Sequence, residues 1–324
     1  MQKMSSEAAA SRGRTVLHGP TMGTRWSVTL DADGAVDLAA LHDDLAGAVA
    51  QVDAQMSPWK PDSDLMRLNR APVDEWVPLA DEILEVLDTA LQVQRLSGGA
   101  FHPCAGDLVD AWGFGAVRDA PDAQAIREAR QSATQATLSG LALDRPARRA
   151  RKHSQLKVDL CGIAKGYAVD LMVQVLQHHG VRHALAALDG ELRAVGAQAD
   201  GVAWSVAVES PEPGRRAAHG VLSLEDVAVA TSGDYRRYID VGGAHLAHTM
   251  DMRRGAPVNN GVASVTVLAS TCMLADAWAT ALLVAGMDEG LAMAQRMGID
   301  VLFLVRRAGG WMEVGLGRLG GAAT

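Results

Sequence analysis

Apolar side chains recur at helical spacing in two early stretches. Between residues 37 and 55, Leu38, Leu41, Leu45, Val49 and Val52 follow one another every three or four positions, which predicts an amphipathic helix. The run Ser57-Pro58-Trp59-Lys60-Pro61-Asp62-Ser63 ends it, because prolines restrict the backbone there. Residues 81 to 96 repeat the helical pattern and stop at Gly98-Gly99. Between 15 and 30 the period is two, around Met22-Gly23-Thr24, with Trp26, Val28 and Leu30 on one face of a strand. Residues 156 to 160 also read as a strand. Gly162 then opens a helix carrying Ala164, Tyr167, Leu171, Val175 and Leu176, which ends at Gly180.

Further strands are predicted at 183–188, 204–208, 226–230, 262–268, 300–305 and 311–315. Tyr235 to Val241 and His245 to Met250 read as a hairpin turning on Gly242-Gly243. Residues 118 to 150 are polar and mixed, and predict short helices and irregular structure. Strands outnumber helices and hairpins outnumber crossovers. The fold class is therefore α+β, with largely antiparallel sheet and packed helices.

At 324 residues and 48% hydrophobic, the chain has enough apolar material for a sizeable core. Its net charge of -8 argues against nucleic acid as the main partner. The basic run Arg145 to Lys152 reads as a solvated loop. Cys104, Cys161 and Cys272 are too few and too widely spaced for a disulfide framework or a CxxC metal site. Buried free thiols are expected, which fits a reducing compartment. Residues 1 to 14 read as a disordered extension without the apolar centre of a secretory signal, and residues 15 to 324 as one domain. No apolar run reaches the length of a membrane span. By sequence the chain is placed in the cytoplasm.

The densest chemical signal lies in the apolar stretch from Leu268 to Val284, read as a helix that starts near Ser270 and stops at Gly286. Asp276 and Thr280 are four residues apart and share a face. A carboxylate in such a helix is costly unless its charge is cancelled. Two readings stand: hard oxygen donors for Mg²⁺ or Ca²⁺, or an Asp that meets an Arg beside a Thr bonded to its own backbone. Lys165, in the first turn of the helix after Gly162, is unfavourable there unless an anion sits at that end. Asp159 stands where a strand end could present it to a ligand. The spacing is not that of a phosphate-binding P-loop. Thr231 and Ser232, in Thr231-Ser232-Gly233-Asp234-Tyr235, offer hydroxyls at a turn that could hold phosphate oxygens or could be ordinary turn chemistry. His248 ends a strand and is a candidate general base or a structural histidine. Trp59 and Met22 could stack on a flat ring or lie in the core.

Taken together and in this order, these segments resemble the ApbE family of FAD:protein FMN transferases. The matching stretches are Met22-Gly23-Thr24, Met56 to Ser63 with Asn69, Ala100-Phe101-His102-Pro103, Trp112-Gly113-Phe114-Gly115, Val158 to Asp170, Ala230 to Tyr235, His248 to Val258 and Ser264 to Thr280. The resemblance implies an ApbE-like, T-fold-related architecture. It implies a Mg²⁺-dependent enzyme that takes FAD as substrate, moves FMN onto a Ser or Thr hydroxyl of an acceptor protein and releases AMP. It places the metal on Asp276, Thr280 and the backbone carbonyl of Gly162. It places FAD against Met22, Trp59, Ala100, Phe101, His102, Asp159, Lys165 and Met250, with His248 as the base. The family is often periplasmic.

The chain departs from the family pattern at several positions. His102 stands for the usual Asp, Cys104 for Thr and Trp59 for Tyr. Asp189-Gly190-Glu191 replaces a Gly-Gly-acid turn, and Met252 to Arg254 replaces a Pro-x-Thr run. Two rival functions share the same site. One is an FAD pyrophosphatase, with water in place of the acceptor. The other is a flavin-binding or delivery protein without chemistry.

Overall fold

The computed structural model describes residues 13–32, 36–135, 140–212, 217–236, 238–241, 244–308 and 310–320. The N-terminal part contains β1 (Gly13–Thr21), β2 (Thr24–Ala32), α1 (Leu38–Met56), α2 (Asp64–Arg70), β3 (Val77–Pro78) and α3 (Asp81–Leu96). The middle holds α4 (Gly106–Ala111), α5 (Ala123–Gln135), β4 (Leu141–Asp144), β5 (Arg149–Lys152), α6 (Ala164–His178), β6 (Ala184–Leu188) and β7 (Glu191–Val195). Next come β8 (Trp204–Glu209), β9 (Ala218–Leu224), β10 (Ala228–Gly233), β11 (Tyr238–Val241), β12 (Ala244–Ala247), β13 (Met250–Asp251) and β14 (Ala256–Pro257). The chain closes with β15 (Val262–Ala269), α7 (Cys272–Ala285), α8 (Met287–Met297), β16 (Asp300–Arg307) and β17 (Gly310–Leu316).

Eight strands form the central sheet in the order β1-β2-β6-β7-β10-β15-β16-β17. Neighbours pair antiparallel throughout, as the hairpin pattern predicts. Alternation decides which face each residue covers. Trp26, Val28 and Leu30 of β2 are buried in the main core with Leu41, Leu45, Val49 and Val52 of α1 and the apolar faces of α6 and α7. On the opposite face, Val229, Leu268, Leu302 and Leu304 pack with Trp204, Val208 and Leu224 of the β8–β9 hairpin.

The helix ends follow local chemistry. Asp37 caps α1 by accepting the N–H groups of Ala39 and Ala40, and Thr271 caps α7 by accepting that of Leu274. Gly286, at φ 80°, stops α7 where a side chain would be strained.

Several expectations are revised. Residues 156 to 160 bury Leu156, Val158 and Leu160 but join no strand ladder. Thr231 to Gly233 continue β10 instead of forming a turn, because β15 pairs with them to Ser264. The basic run is the β4–β5 turn and β5 itself. Arg149 and Arg151 lie over the Trp76 ring, and Lys152 is only 2% exposed. Residues 118 to 150 include β4 as well as α5. Cys104 and Cys272 are buried, but Cys161 is exposed. β1 begins at Gly13, inside the expected extension, whose residues 1–12 lie outside the described ones, as does the Gly242-Gly243 turn.

Candidate active site

A cavity of about 700 Å³ opens between the central sheet, α7 and the loops after α1 and α3. That is the size range of small-molecule sites. Every residue assigned to the site from the sequence lines it, Met22, Trp59, Asp276 and Thr280 among them.

The α7 part of the wall is built by close helix contact. A Cβ on Gly166 would collide with the Cys272 carbonyl, so the first turn of α6 reaches α7 only because residue 166 is glycine. Asp170, one turn on, accepts the N–H groups of Cys272 and Met273 at 2.9 Å each and binds Arg193 at 2.5 Å. These bonds lock the two helix starts together. Asp276 is then 3% exposed, and its Oδ2 accepts the Gly166 N–H at 3.1 Å. Thr280 meets the Ser232 hydroxyl at 3.1 Å, and its Oγ1 lies 3.1 Å from where a Cβ on Gly162 would be. The segment carrying the Gly162 carbonyl therefore lies against the Thr280 hydroxyl.

Among the described residues, no arginine bonds Asp276. The cation whose charge acts on it is Lys165, which binds Glu191 at 2.7 Å and lies 3.6 Å from Asp189. The anion facing the start of α6 is therefore the protein's own Glu191, a residue the sequence reading left unassigned. Burial and the neighbouring Glu191 charge push the Asp276 carboxyl up to about 8, against the pull of Lys165 and the Gly166 N–H. Burial raises Glu191 as well. Burial by itself would lower Lys165, but Glu191, Asp276 and Asp189 raise it. Glu191 is 3% exposed, and its Oε2 has no hydrogen-bond partner among the described residues. Two buried carboxylates thus share one lysine, and one carboxylate oxygen is unanswered.

The donor set fits a hard divalent cation. Among the described residues no three His, Cys, Asp or Glu side chains form a metal cluster. A cation here would rest on one carboxylate, the Thr280 hydroxyl and the Gly162 carbonyl, all oxygen donors of the kind Mg²⁺ takes. The unanswered Glu191 oxygen and the raised Asp276 mark a place short of positive charge.

The rest of the wall mixes apolar and polar side chains, and Phe101 lies close to Gly162 beside Thr280. Trp59 is 52% exposed, so it belongs to the cavity rim and not to the core. Its loop is closed by Ser63, whose hydroxyl donates to the Ser57 carbonyl at 2.8 Å and caps α2 by accepting the Met66 N–H. Met22, at φ 45°, occupies the β1–β2 turn with Gly23. Ala100 and Phe101 are buried in the wall. His102 accepts the Cys104 N–H on Nδ1, and its Nε2 lies 2.8 Å from the Gln94 amide. Burial lowers His102 to about 4, so it stays neutral. His248 sets its ring 6.3 Å from Phe114, edge to face. Asp159 accepts the Cys161 N–H at 2.7 Å, and Met250 is buried beside Met252.

The departures from the family pattern are absorbed. Asp189 holds φ 55°, the left-handed conformation a glycine would supply, and its carboxylate binds Arg236 at 2.8 Å. Met252 is buried against Leu108 and Ala129. Asp251 accepts the Arg253 N–H at 2.9 Å, and Gly255 turns the loop at φ 61°.

The comparisons with known proteins agree in one direction. The ApbE family model matches residues 22–303. The chain is 35% identical over 303 residues to the FAD:protein FMN transferase of Vibrio cholerae, an alignment covering 92% of this chain and 89% of that protein. It is 30% identical over 301 residues to the FAD:protein FMN transferase of Escherichia coli K12, covering 90% and 84%. Among solved structures, the flavin transferase ApbE from Vibrio cholerae superposes with a TM-score of 0.85 at 32% identity, over 95% of this chain and 98% of that one. The Pseudomonas stutzeri flavinyl transferase ApbE, in its apo form, also gives 0.85, at 34% identity over 96% and 98%.

Proposed function

The chain belongs to the ApbE family, and from that premise we propose that it is an FAD:protein FMN transferase, acting as one unit over residues 15 to 324. The reaction joins an acceptor Ser or Thr hydroxyl oxygen to the phosphorus of the FMN half of FAD. The bond from that phosphorus to the AMP oxygen breaks, and AMP leaves. The observation that carries this reading is a single cavity lined by an oxygen-donor pair, the buried Asp276 and the half-buried Thr280, and by the exposed Trp59 ring.

Phosphoryl transfer needs positioning and charge neutralisation more than covalent help. Carboxylates outnumber basic side chains along the cavity wall, and a diphosphate brings further negative charge. Mg²⁺ held by Asp276, Thr280 and the Gly162 carbonyl would supply the missing positive charge and stabilise the departing AMP. Lys165, fixed by Glu191, adds a second positive charge in the same part of the cavity. Trp59 offers a ring face for stacking, and Met22, Phe101 and Met250 offer apolar wall. His248 takes the acceptor hydroxyl proton as the oxygen attacks. The aromatic ring at position 59 favours transfer over hydrolysis, by the family resemblance.

Incubation with FAD, Mg²⁺ and a Ser/Thr-bearing acceptor protein tests the reading. Covalent flavin on the acceptor with release of AMP is expected. Free FMN plus AMP would make the chain a pyrophosphatase, and bound, unchanged FAD would make it a carrier.

A further inference from the structure

The segment from Leu156 to Gly162 carries Asp159 and the Gly162 carbonyl into the cavity, yet no strand pairs with it. Its buried Leu156, Val158 and Leu160 alternate as in a strand. Buried backbone groups must find partners somewhere. On one side, Lys157 N–H donates to Asp107 Oδ2 at 3.1 Å, Asp159 N–H donates to the Pro103 carbonyl at 2.8 Å, and the Lys157 carbonyl accepts the Gly106 N–H at 3.1 Å. On the other side stands one side chain. Asn69 Oδ1 accepts the Val158 N–H at 2.8 Å, and Asn69 Nδ2 donates to the Val158 carbonyl at 2.9 Å. The amide of Asn69 therefore does for Val158 what a neighbouring strand would do, offering one donor and one acceptor to the same residue.

Asn69 is itself held. It lies in the last turn of α2, where carbonyls are left without helical partners. Its carbonyl accepts Lys152 Nζ at 2.7 Å, a buried ammonium at the negative end of that helix. Ser63 at the start of α2 closes the loop that carries Trp59. One seven-residue helix is thus tied at its first turn to the ring-stacking loop and at its last turn to the segment that presents Asp159 and Gly162.

We infer that Asn69 is a positioning residue for the site: its side-chain amide stands in for a missing strand, sets the 158–162 segment, and through it places the Asp159 carboxylate and the Gly162 carbonyl. Lys152 fixes the amide by holding the Asn69 backbone. The inference rests on the reading of the cavity as an FAD and cation site.

Asn69→Asp is the informative variant. It keeps an acceptor for the Val158 N–H but replaces the donor with an oxygen that faces the Val158 carbonyl. Lys152→Met is the second variant: similar length, no donor. FAD affinity is read by flavin fluorescence anisotropy without metal. The Mg²⁺ concentration for half-maximal transfer, kcat at saturating FAD and Mg²⁺, and the melting temperature are read on the same preparations. Asn69→Asp should weaken FAD binding and raise the Mg²⁺ requirement, each about tenfold or more, while kcat stays within about threefold. Lys152→Met should shift the same two quantities in the same direction by less. A folded Asn69→Asp with unchanged FAD affinity and unchanged Mg²⁺ requirement overturns the inference, even if its melting temperature falls. If Asn69→Asp does not fold, Lys152→Met decides by the same two readouts. Failure of the unmutated protein to flavinylate any acceptor would sink the transferase reading instead, and leaves the FAD-affinity comparison to judge Asn69.

Discussion

Two parts of the cavity wall are built on opposite principles. Around α7, charge is buried: Asp276 and Glu191 are each 3% exposed, and Lys165 binds Glu191 while its charge also acts on Asp276. Around Trp59 the material is apolar yet exposed, on a loop between two helices held by the Ser63–Ser57 bond. The first is rigid because α6 touches α7 at Gly166 and is pinned by Asp170. The second has a free ring face. The proposed FMN transfer would use both: a charge-dense part that holds the diphosphate, and an exposed ring on which the flavin nucleotide could stack.

Removing the α7 charge should have the largest effect. Asp276→Ala deletes the one carboxylate of the proposed cation site, and Mg²⁺-dependent FMN transfer should fall by about 10³-fold or more. The fold should survive, because a buried carboxylate short of positive charge is removed. Near-normal transfer by this variant would make Asp276 structural and void the metal assignment. His248→Ala should slow single-turnover transfer by about 10²–10⁴-fold and leave FAD affinity nearly unchanged. A folded variant with unimpaired transfer would take His248 out of the mechanism.

The apolar part should respond more mildly and in binding. Trp59→Ala should weaken FAD by about 1–3 kcal/mol, by analogy with aromatic–base stacking. A titration giving the unmutated dissociation constant would show that the exposed ring does not meet the flavin nucleotide. Gly166→Ala probes the helix contact. The added methyl meets the Cys272 carbonyl and should destabilise the protein by about 1–3 kcal/mol, measured by denaturant unfolding.

The smallest expected effect is on pH dependence. The Asp276 carboxyl sits near 8 in the metal-free fold, above its ordinary range near 4 in an unfolded chain. A raised folded-state value favours the fold below the unfolded value, and that contribution is lost as pH rises through about 8. The melting temperature of metal-free protein should therefore fall between about pH 4 and pH 8 and level off above, and the gain on adding Mg²⁺ should grow over the same interval. Asp276→Asn should flatten both trends, and a Mg²⁺ gain that ignores pH would show that Asp276 does not couple the two.

The elements that read clearly from the sequence are those whose pattern is local and long. The helices α1 and α3 and the Asp276–Thr280 pair on α7 follow from spacing, caps and a glycine stop. The seven-residue α2 was not legible, being too short for its two buried leucines, Leu65 and Leu68, to establish a period. Glu191 escaped because its partner Lys165 lies on another element, and an acid after a tight turn looks like any exposed strand start. Lys152 escaped for the same reason: in a basic run nothing marks the one lysine whose ammonium is buried on the Asn69 carbonyl. Residues 156 to 160 carry a correct strand alternation, but the neighbour that completes it is a side chain, which no periodicity announces.

The strand order also sets when the site can exist. β2 finds its partner β6 roughly half a chain length away, Trp26 opposite Leu188, and β15 and α7 arrive later still. Such distant pairings slow folding, because loop closure precedes the contacts that reward it. Synthesis runs from the N-terminus, so Trp59, Asn69 and Gly162 are all made well before Asp276. The nascent chain therefore holds the Trp59 loop and the Gly162 carbonyl without Asp276, the carboxylate proposed to join them in one site. On the proposed assignment, flavin transfer would begin only once β15 and α7 have docked, and activity itself would report completed folding.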